Sequence, residues 1–115
     1  MSQWIDICSI DDLYPDSGVC ALVNGEQVAI FYMPKQGAIY AIGNYDPIGK
    51  ANVLSRGMVG DLDGEPVVAS PLYKQHFNLK TGVCLEEDVK VDSYAVREVD
   101  GRVEVGVKLE ETDGI

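Results

Sequence analysis

The apolar residues of this chain fall in short, β-branched runs that Gly, Pro, Asn and Asp residues interrupt along the whole length. The clearest interruptions are Asn24-Gly25 and Asp100-Gly101, each of which lies between two apolar runs. Such pairs adopt positive φ angles at little cost, so they favour the tight turn of a β-hairpin. No stretch longer than one turn has apolar residues at the helical spacing. The pattern therefore predicts an all-β chain.

Several segments have the length and composition of β-strands. Two of them, 19–23 and 28–33, are almost continuously apolar, which favours burial on both faces. Segment 102–109 instead alternates, so Val103, Val105, Val107 and Leu109 are expected on a buried face and their neighbours in water. We predict strands at 4–7, 19–23, 28–33, 38–42, 65–69, 76–79, 83–85, 94–99 and 102–109.

Two segments without a regular pattern, 44–60 and 70–75, are predicted to be loops. A short hairpin separates them, so they could meet at one tip of the fold, and long loops in compact domains often carry function. A length of 115 residues fits one domain. We therefore predict a small β-sandwich or partly open barrel of short antiparallel strands with two tip loops, spanning residues 1–109, followed by a polar tail at 110–115.

The chain is strongly acidic, with nine Lys and Arg against nineteen Asp and Glu and a net charge of −10. Phosphate backbones and anionic membrane surfaces repel such a charge, so neither nucleic acid nor a membrane is an expected partner. The acidity either serves solubility or forms a docking face for a basic partner.

The expected compartment is the cytoplasm. No run approaches the roughly 20 apolar residues that span a bilayer, and the first residues lack the features of a secretory signal. Cys8, Cys20 and Cys84 are odd in number and unclustered. This usage is typical of a reducing compartment.

No residue pattern indicates catalysis. The single histidine, His76, lies in a strand pattern without a neighbouring nucleophile motif. A zinc site would have to collect His76 and three cysteines from four distant segments. The segment 61–64 has the start of a calcium loop but not its glutamate, so a hairpin turn is the better interpretation. No catalytic, cofactor-binding or metal-binding residue is predicted.

The segment from Ser70 to Gly82 resembles the second signature of Rieske domains, Cys-Pro-x-His-Gly-x-x-Phe-Asp-Leu-x-Thr-Gly. The residues in register are Pro71, Phe77, Leu79, Thr81 and Gly82. The segments 40–49 and 51–57 resemble the first signature, Cys-Pro-His-x-Gly-x-x-Leu-Ser-x-Gly. The resemblance covers nearly the whole chain, with a meander before the motifs and a hairpin after them.

The positions that match cluster ligands carry other residues. They are Ser70 and Tyr73 in the second motif and, with one inserted residue, Asp46 and Ile48 in the first. Without the insertion the first pair becomes Pro47 and Gly49. A Rieske centre needs two thiolates and two imidazoles, which one histidine cannot supply. The resemblance implies a Rieske-like scaffold without its cluster.

A ligand-free Rieske scaffold of this length resembles the family of small subunits of cytoplasmic, NADH-dependent, assimilatory nitrite reductases. That resemblance implies a cofactor-free accessory protein without an active site. It implies a large-subunit partner that carries FAD, an iron–sulfur cluster and sirohaem, reduces nitrite to ammonia and needs the small subunit for activity. The alternatives are a Rieske-type ferredoxin that supplies electrons to an oxygenase, and a generic acidic interaction domain.

The tip loops are the expected docking site for that partner, assisted by the acidic residues Glu86, Glu87 and Asp88. Apolar and aromatic side chains at such a site would act as anchors. The alternative interpretation is that Ile48, Leu72 and Tyr73 fill the space that the cluster vacated. The candidate docking residues are Pro47, Ile48, Leu72, Tyr73 and Lys74.

Overall fold

The computed structural model describes residues 4–109, except for the side chain of Val107. Short strands, joined by turns, make up this part of the chain. The strands are β1 Ile5–Ser9, β2 Ser17–Val23, β3 Glu26–Met33, β4 Ala38–Gly43, β5 Tyr45–Asp46, β6 Ala51–Asn52, β7 Met58–Leu62, β8 Glu65–Ala69, β9 His76–Asn78, β10 Ser93–Val99 and β11 Arg102–Leu109; the 3-10 turns are η1 Ile10–Asp12, η2 Pro34–Gln36 and η3 Leu54–Arg56. The all-β prediction is confirmed.

Six strands form one antiparallel sheet in the order β1-β11-β10-β4-β3-β2. Its two end strands, β1 and β2, are not paired with each other in the described part of the chain, which matches a partly open barrel. A second sheet, β7-β8-β9, and the small ribbon β5-β6 complete the fold. The chain leaves the first sheet after β4, builds the ribbon and the second sheet, and returns in β10.

The hairpin turns follow from backbone preferences. Each central pair of a turn consists of Asn-Gly or Asp-Gly and has positive φ at both residues, which is the geometry of the turns favoured between twisted strands. This confirms the predicted hairpins and the prediction that segment 61–64 contains a turn. The pairs are Asn24-Gly25 (φ 51° and 82°), Asp63-Gly64 (54° and 84°) and Asp100-Gly101 (51° and 81°).

Strand β3 lies at the centre of the core. Its four residues Val28, Ala29, Ile30 and Phe31 are fully buried, so both faces of the strand pack, as the continuous apolar run predicts. Val28 and Ile30 belong to one cluster and Ala29 and Phe31 to the other. The first cluster lies between β3, β4, β10 and β11; the second joins β3 to the β7-β8-β9 sheet.

Two predictions about strand faces are wrong. Strand β2 is not buried on both faces, because it is an end strand of the sheet: Cys20 is exposed, and so is Leu22. In β11 the alternation does not continue to the end, because the pairing with β10 shifts register between Tyr94 and Val96. Val103 and Val105 are buried as expected, whereas Leu109 is 52% exposed.

Two predicted boundaries also need correction. Segment 44–60 is not a continuous loop, since it holds β5, β6, η3 and the first residues of β7. Segment 83–85 forms isolated bridges only, because Val83 pairs with Lys90 on one side while Cys84 pairs with Phe77 on the other. The predicted polar tail, residues 110–115, lies outside the described residues.

Candidate functional site

The first tip loop is held at its base by Asn44, a buried residue at the end of β4. Its side-chain amide donates to Gln27 Oε1 at 2.9 Å, and its Oδ1 accepts the backbone N–H of Ser55 at 2.7 Å. The Asn44 carbonyl accepts from Leu54 N at 3.1 Å, so side chain and backbone together fasten η3 to the sheet. Sequence reasoning missed this residue, because an asparagine in a loop looks like any other turn former.

Asp46 organises the turn that follows. Its side chain is fully buried, and Oδ1 accepts the backbone N–H groups of Ile48 at 2.8 Å and Gly49 at 3.1 Å. A carboxylate that accepts backbone donors two and three residues on forms an Asx turn. The second oxygen, Oδ2, accepts the hydroxyl of Ser70 at 2.5 Å.

Ser70 has the equivalent position in the second loop and is also fully buried. Its Oγ accepts the backbone N–H of Leu72 at 3.2 Å while donating to Asp46. Its backbone closes the loop, because Ser70 N donates to Gln75 O at 2.8 Å and Lys74 N donates to Ser70 O at 3.0 Å. The two loops therefore meet at one tip, as predicted from their spacing.

The two possible ligand registers of the first motif place different residues next to the second loop. Asp46 faces Ser70, whereas Gly49 packs against Leu72 so closely that a Cβ on Gly49 would lie 2.4 Å from Leu72 Cδ1. Ile48 is half-buried and packs against the core cluster around Phe31. The register with the inserted residue, Asp46 and Ile48, is the one that brings a first-motif position onto Ser70.

The exposed part of the tip is aromatic and apolar. Tyr73 is 63% exposed, Leu72 is 45% exposed and Tyr45 is 48% exposed. Pro47 is half-buried and Lys74 is exposed, with a φ of 68°. The structure thus places Ile48 inward, where it fills space, and Leu72 and Tyr73 outward.

His76 and Glu86 lie directly beside the second loop. The carboxylate of Glu86 accepts the His76 backbone N–H at 2.8 Å, and its other oxygen lies 2.7 Å from His76 Nδ1. Burial alone raises the pKa of the Glu86 carboxyl, but the His76 hydrogen bonds and charge outweigh it and hold that pKa below its usual value. Glu86 is therefore a structural partner of His76 as well as a surface charge.

The donor set does not fit a Rieske cluster. The thiols lie on β1, on β2 and beyond β9, and His76 is engaged with Glu86. Partial desolvation raises the pKa of the Cys8 and Cys20 thiols, which disfavours the thiolate that a metal binds. Within residues 4–109, no three His, Cys, Asp or Glu side chains are grouped to hold a metal ion.

No helix among the described residues is long and apolar enough to cross a membrane.

An antiparallel β domain whose two tip loops follow the order of the Rieske motifs is a Rieske-like domain. The family model of the Rieske-like [2Fe-2S] domain matches residues 3–106. The chain is 50% identical over 107 residues to the nitrite reductase (NADH) small subunit of Salmonella typhimurium, covering 93% of this chain and 95% of that one. It belongs to the small-subunit family of NADH-dependent nitrite reductases.

Two further relatives extend this similarity. The solution structure of the nitrite reductase [NAD(P)H] small subunit from Erwinia carotovora superposes with a TM-score of 0.79 at 43% identity, covering 96% of this chain and 86% of that one. A segment of the nitrite reductase [NAD(P)H] large subunit of Klebsiella oxytoca is 40% identical over 104 residues. That match covers 90% of this chain and 11% of the Klebsiella protein.

Proposed function

We propose that this chain is a cofactor-free accessory subunit that binds the large subunit of a cytoplasmic NADH-dependent nitrite reductase and is required for its activity. The reaction is the reduction of nitrite to ammonia in nitrate assimilation, and the large subunit carries the FAD, the iron–sulfur cluster and the sirohaem. The observation that carries the proposal is the 50% identity to a nitrite reductase (NADH) small subunit over 93% of this chain. The cofactor-free part of the proposal is supported by the buried Asp46–Ser70 hydrogen bond, which lies where the Rieske motifs have metal ligands.

The Klebsiella relative supports the choice of partner. A domain similar to this chain is part of a polypeptide named as the large subunit, at 40% identity. Two domains that are covalently joined in a relative are held close together. We therefore expect this chain to contact the large subunit even though the two are separate polypeptides. With a net charge of −10, the chain is a poor ligand for nucleic acid or for an anionic membrane.

The tip is the proposed docking site. Leu72 and Tyr73 combine exposure with apolar and aromatic surface, which is the composition of interface anchors. Pro47 lies on the first loop and Lys74 follows Tyr73 on the second, while the half-buried Ile48 packs against the core cluster around Phe31. A standard interface covers about 800 Å² on each partner, so a tip of this size would supply much of it.

An electron-carrier role, as in a Rieske-type ferredoxin, has less support. It would require two thiolates and two imidazoles at the tip. The matching positions hold Asp46, Ile48, Ser70 and Tyr73.

The test is reconstitution of the enzyme from separately purified subunits. The large subunit is assayed for NADH-dependent nitrite reduction with and without this chain, and the chain is assayed alone. We expect the chain to be inactive by itself and to raise or restore the partner's activity. Full activity of the large subunit without the chain, or turnover by the chain alone, would contradict the proposal.

The absence of a cluster is tested on the same anaerobically purified chain. Iron analysis and the visible absorption spectrum should show neither stoichiometric iron nor iron–sulfur charge-transfer bands. Either signal would restore the ferredoxin interpretation.

A further inference from the structure

The two tip loops are joined by one polar contact between fully buried groups. Asp46 Oδ2 accepts the Ser70 hydroxyl, and both residues are 0% exposed. Each partner also organises its own loop: Asp46 accepts from Ile48 and Gly49, and Ser70 accepts from Leu72. The chain therefore contains a continuous hydrogen-bond path from the first loop to the backbone of Leu72.

We propose that Asp46 and Ser70 are positioning residues: they form a clasp that sets the spacing of the two loops and so presents Leu72 and Tyr73 to the partner. A carboxylate removed from water needs donors to replace its hydration, and three donors meet Asp46 here. Hydrogen bonds to a charged group are stronger than neutral ones, so this contact is well suited to hold two loops in register.

Packing at Gly49 links the clasp to the docking surface. A Cβ at Gly49 would lie 2.4 Å from Leu72 Cδ1 and 3.0 Å from Asp46 Oδ2. The loops thus touch at a position without a side chain, and Leu72 packs directly against the backbone of Gly49. The backbone N–H of Leu72 also donates to Ser70 Oγ. The orientation of Leu72 therefore depends on both partners of the clasp, on Ser70 through this hydrogen bond and on Asp46 through the turn that contains Gly49.

The clasp is tested first in the isolated chain, by amide hydrogen exchange measured with NMR. Ser70→Ala changes the second loop, so the informative amides are those of Ile48 and Gly49, whose acceptor Asp46 is retained. We expect their exchange to accelerate about tenfold, as the loss of one charge-assisted hydrogen bond implies.

Asp46→Asn is the reciprocal variant, and its effect is measured at the Leu72 amide. Ser93→Ala, a buried serine on β10, is the matched control.

If each variant alters amides in its own loop alone, the clasp does not position the loops and the inference is wrong. Should Ser70→Ala fail to fold, Asp46→Asn supplies the same comparison, because it weakens the contact without emptying space. This arm involves no partner, so its outcome is independent of the proposed function.

The second arm measures binding to the large subunit and rests on the proposed function. We expect Ser70→Ala to weaken binding about tenfold, chiefly through faster dissociation, while Ser93→Ala leaves affinity unchanged. If the unmodified chain binds and Ser70→Ala binds equally well, the clasp has no positioning role. If the unmodified chain does not bind, the proposed function fails while the exchange result still stands.

Discussion

Tyr73 and Leu72 are the side chains on which the proposed docking depends most directly. Both lie on the second loop, exposed by 63% and 45%. Exposed aromatic and aliphatic groups of this kind gain most when a partner removes them from water.

Replacing Tyr73 by Ala, or Leu72 by Asp, should therefore weaken the complex with the large subunit by about 2 kcal/mol or more. The measurement is calorimetry or surface-bound kinetics with folded variants. Tyr14→Ala is the matched control, since Tyr14 is 69% exposed but lies outside the tip loops. Unchanged affinity for both tip variants would mean that these side chains only fill the site of the lost cluster. The docking face would then lie on the sheets.

Glu86 gives the region beside the tip a pH-dependent contribution to stability. The hydrogen bonds and charge of His76 hold the pKa of this carboxyl below its usual value, against the opposing effect of burial. A lowered pKa in the folded state adds stability above the ordinary carboxyl range, and that stability is lost as the pH falls through the folded-state pKa.

Glu86→Gln should accordingly lower the free energy of unfolding at neutral pH, and the deficit should disappear as the pH falls through the lowered folded-state pKa of Glu86. The side chain is 43% exposed, so solvent screening keeps the cost near about 0.5 kcal/mol. Urea titrations at several pH values measure it, with Glu87→Gln as the control at an exposed neighbouring carboxylate. A deficit that persists in acid would show that packing, not charge, is responsible.

The turn after β9, from Asn78 to Gly82, packs directly against the backbone of Val91. Asn78 Oδ1 accepts the N–H groups of Lys80 and Thr81, and the turn then reaches Gly82 with a φ of 81°. A Cβ at Gly82 would lie 2.0 Å from the carbonyl oxygen of Val91. Both the backbone angle and the close approach exclude a side chain at this position.

Gly82→Ala should destabilise the fold by at least about 2 kcal/mol more than Gly25→Ala does. Both glycines have a φ near 80°, but a Cβ at Gly25 meets no atom within 4 Å. The pair therefore separates the cost of the clash from the cost of the backbone angle, and chemical denaturation measures both. Equal destabilisation of the two variants would show that the turn relaxes away from Val91.

For the molecule as a whole, the net charge of −10 should govern the rate of encounter with its partner. Charges at the rim of an interface mainly accelerate association and make it sensitive to salt. The sequence suggested Glu86 for this role, but Glu86 is engaged with His76. Glu87 and Asp88 are exposed and make the better test.

Glu87→Gln combined with Asp88→Asn should lower the association rate constant and reduce its dependence on salt, with little change in the dissociation rate. Stopped-flow or surface kinetics from low to high ionic strength provides the measurement. Glu98→Gln with Asp100→Asn removes the same charge from the β10–β11 hairpin and is the control. Equal effects of the two pairs would mean that total charge, rather than a local acidic rim, steers the encounter.

The sequence by itself determined the all-β class and the hairpins. These features are local: alternation reports which face of a strand is wet, and Asn-Gly or Asp-Gly pairs accept positive φ. Strands β8 and β11 match their predicted bounds, and β3 is buried on both faces, as its continuous apolar run indicates. Strand β7 was missed because Met58 and Leu62 face solvent and leave no inward apolar pattern to detect.

The site depended on contacts between residues far apart in the chain. Asp46 and Ser70 are separated by 24 positions, so no local pattern could show that they share a hydrogen bond. No local pattern showed that Glu86 accepts the backbone N–H of His76, or that Asn44 accepts the backbone N–H of Ser55. Tertiary packing decided these contacts, because the desolvation cost of a buried polar side chain is offset only where the folded chain supplies its hydrogen-bond partners.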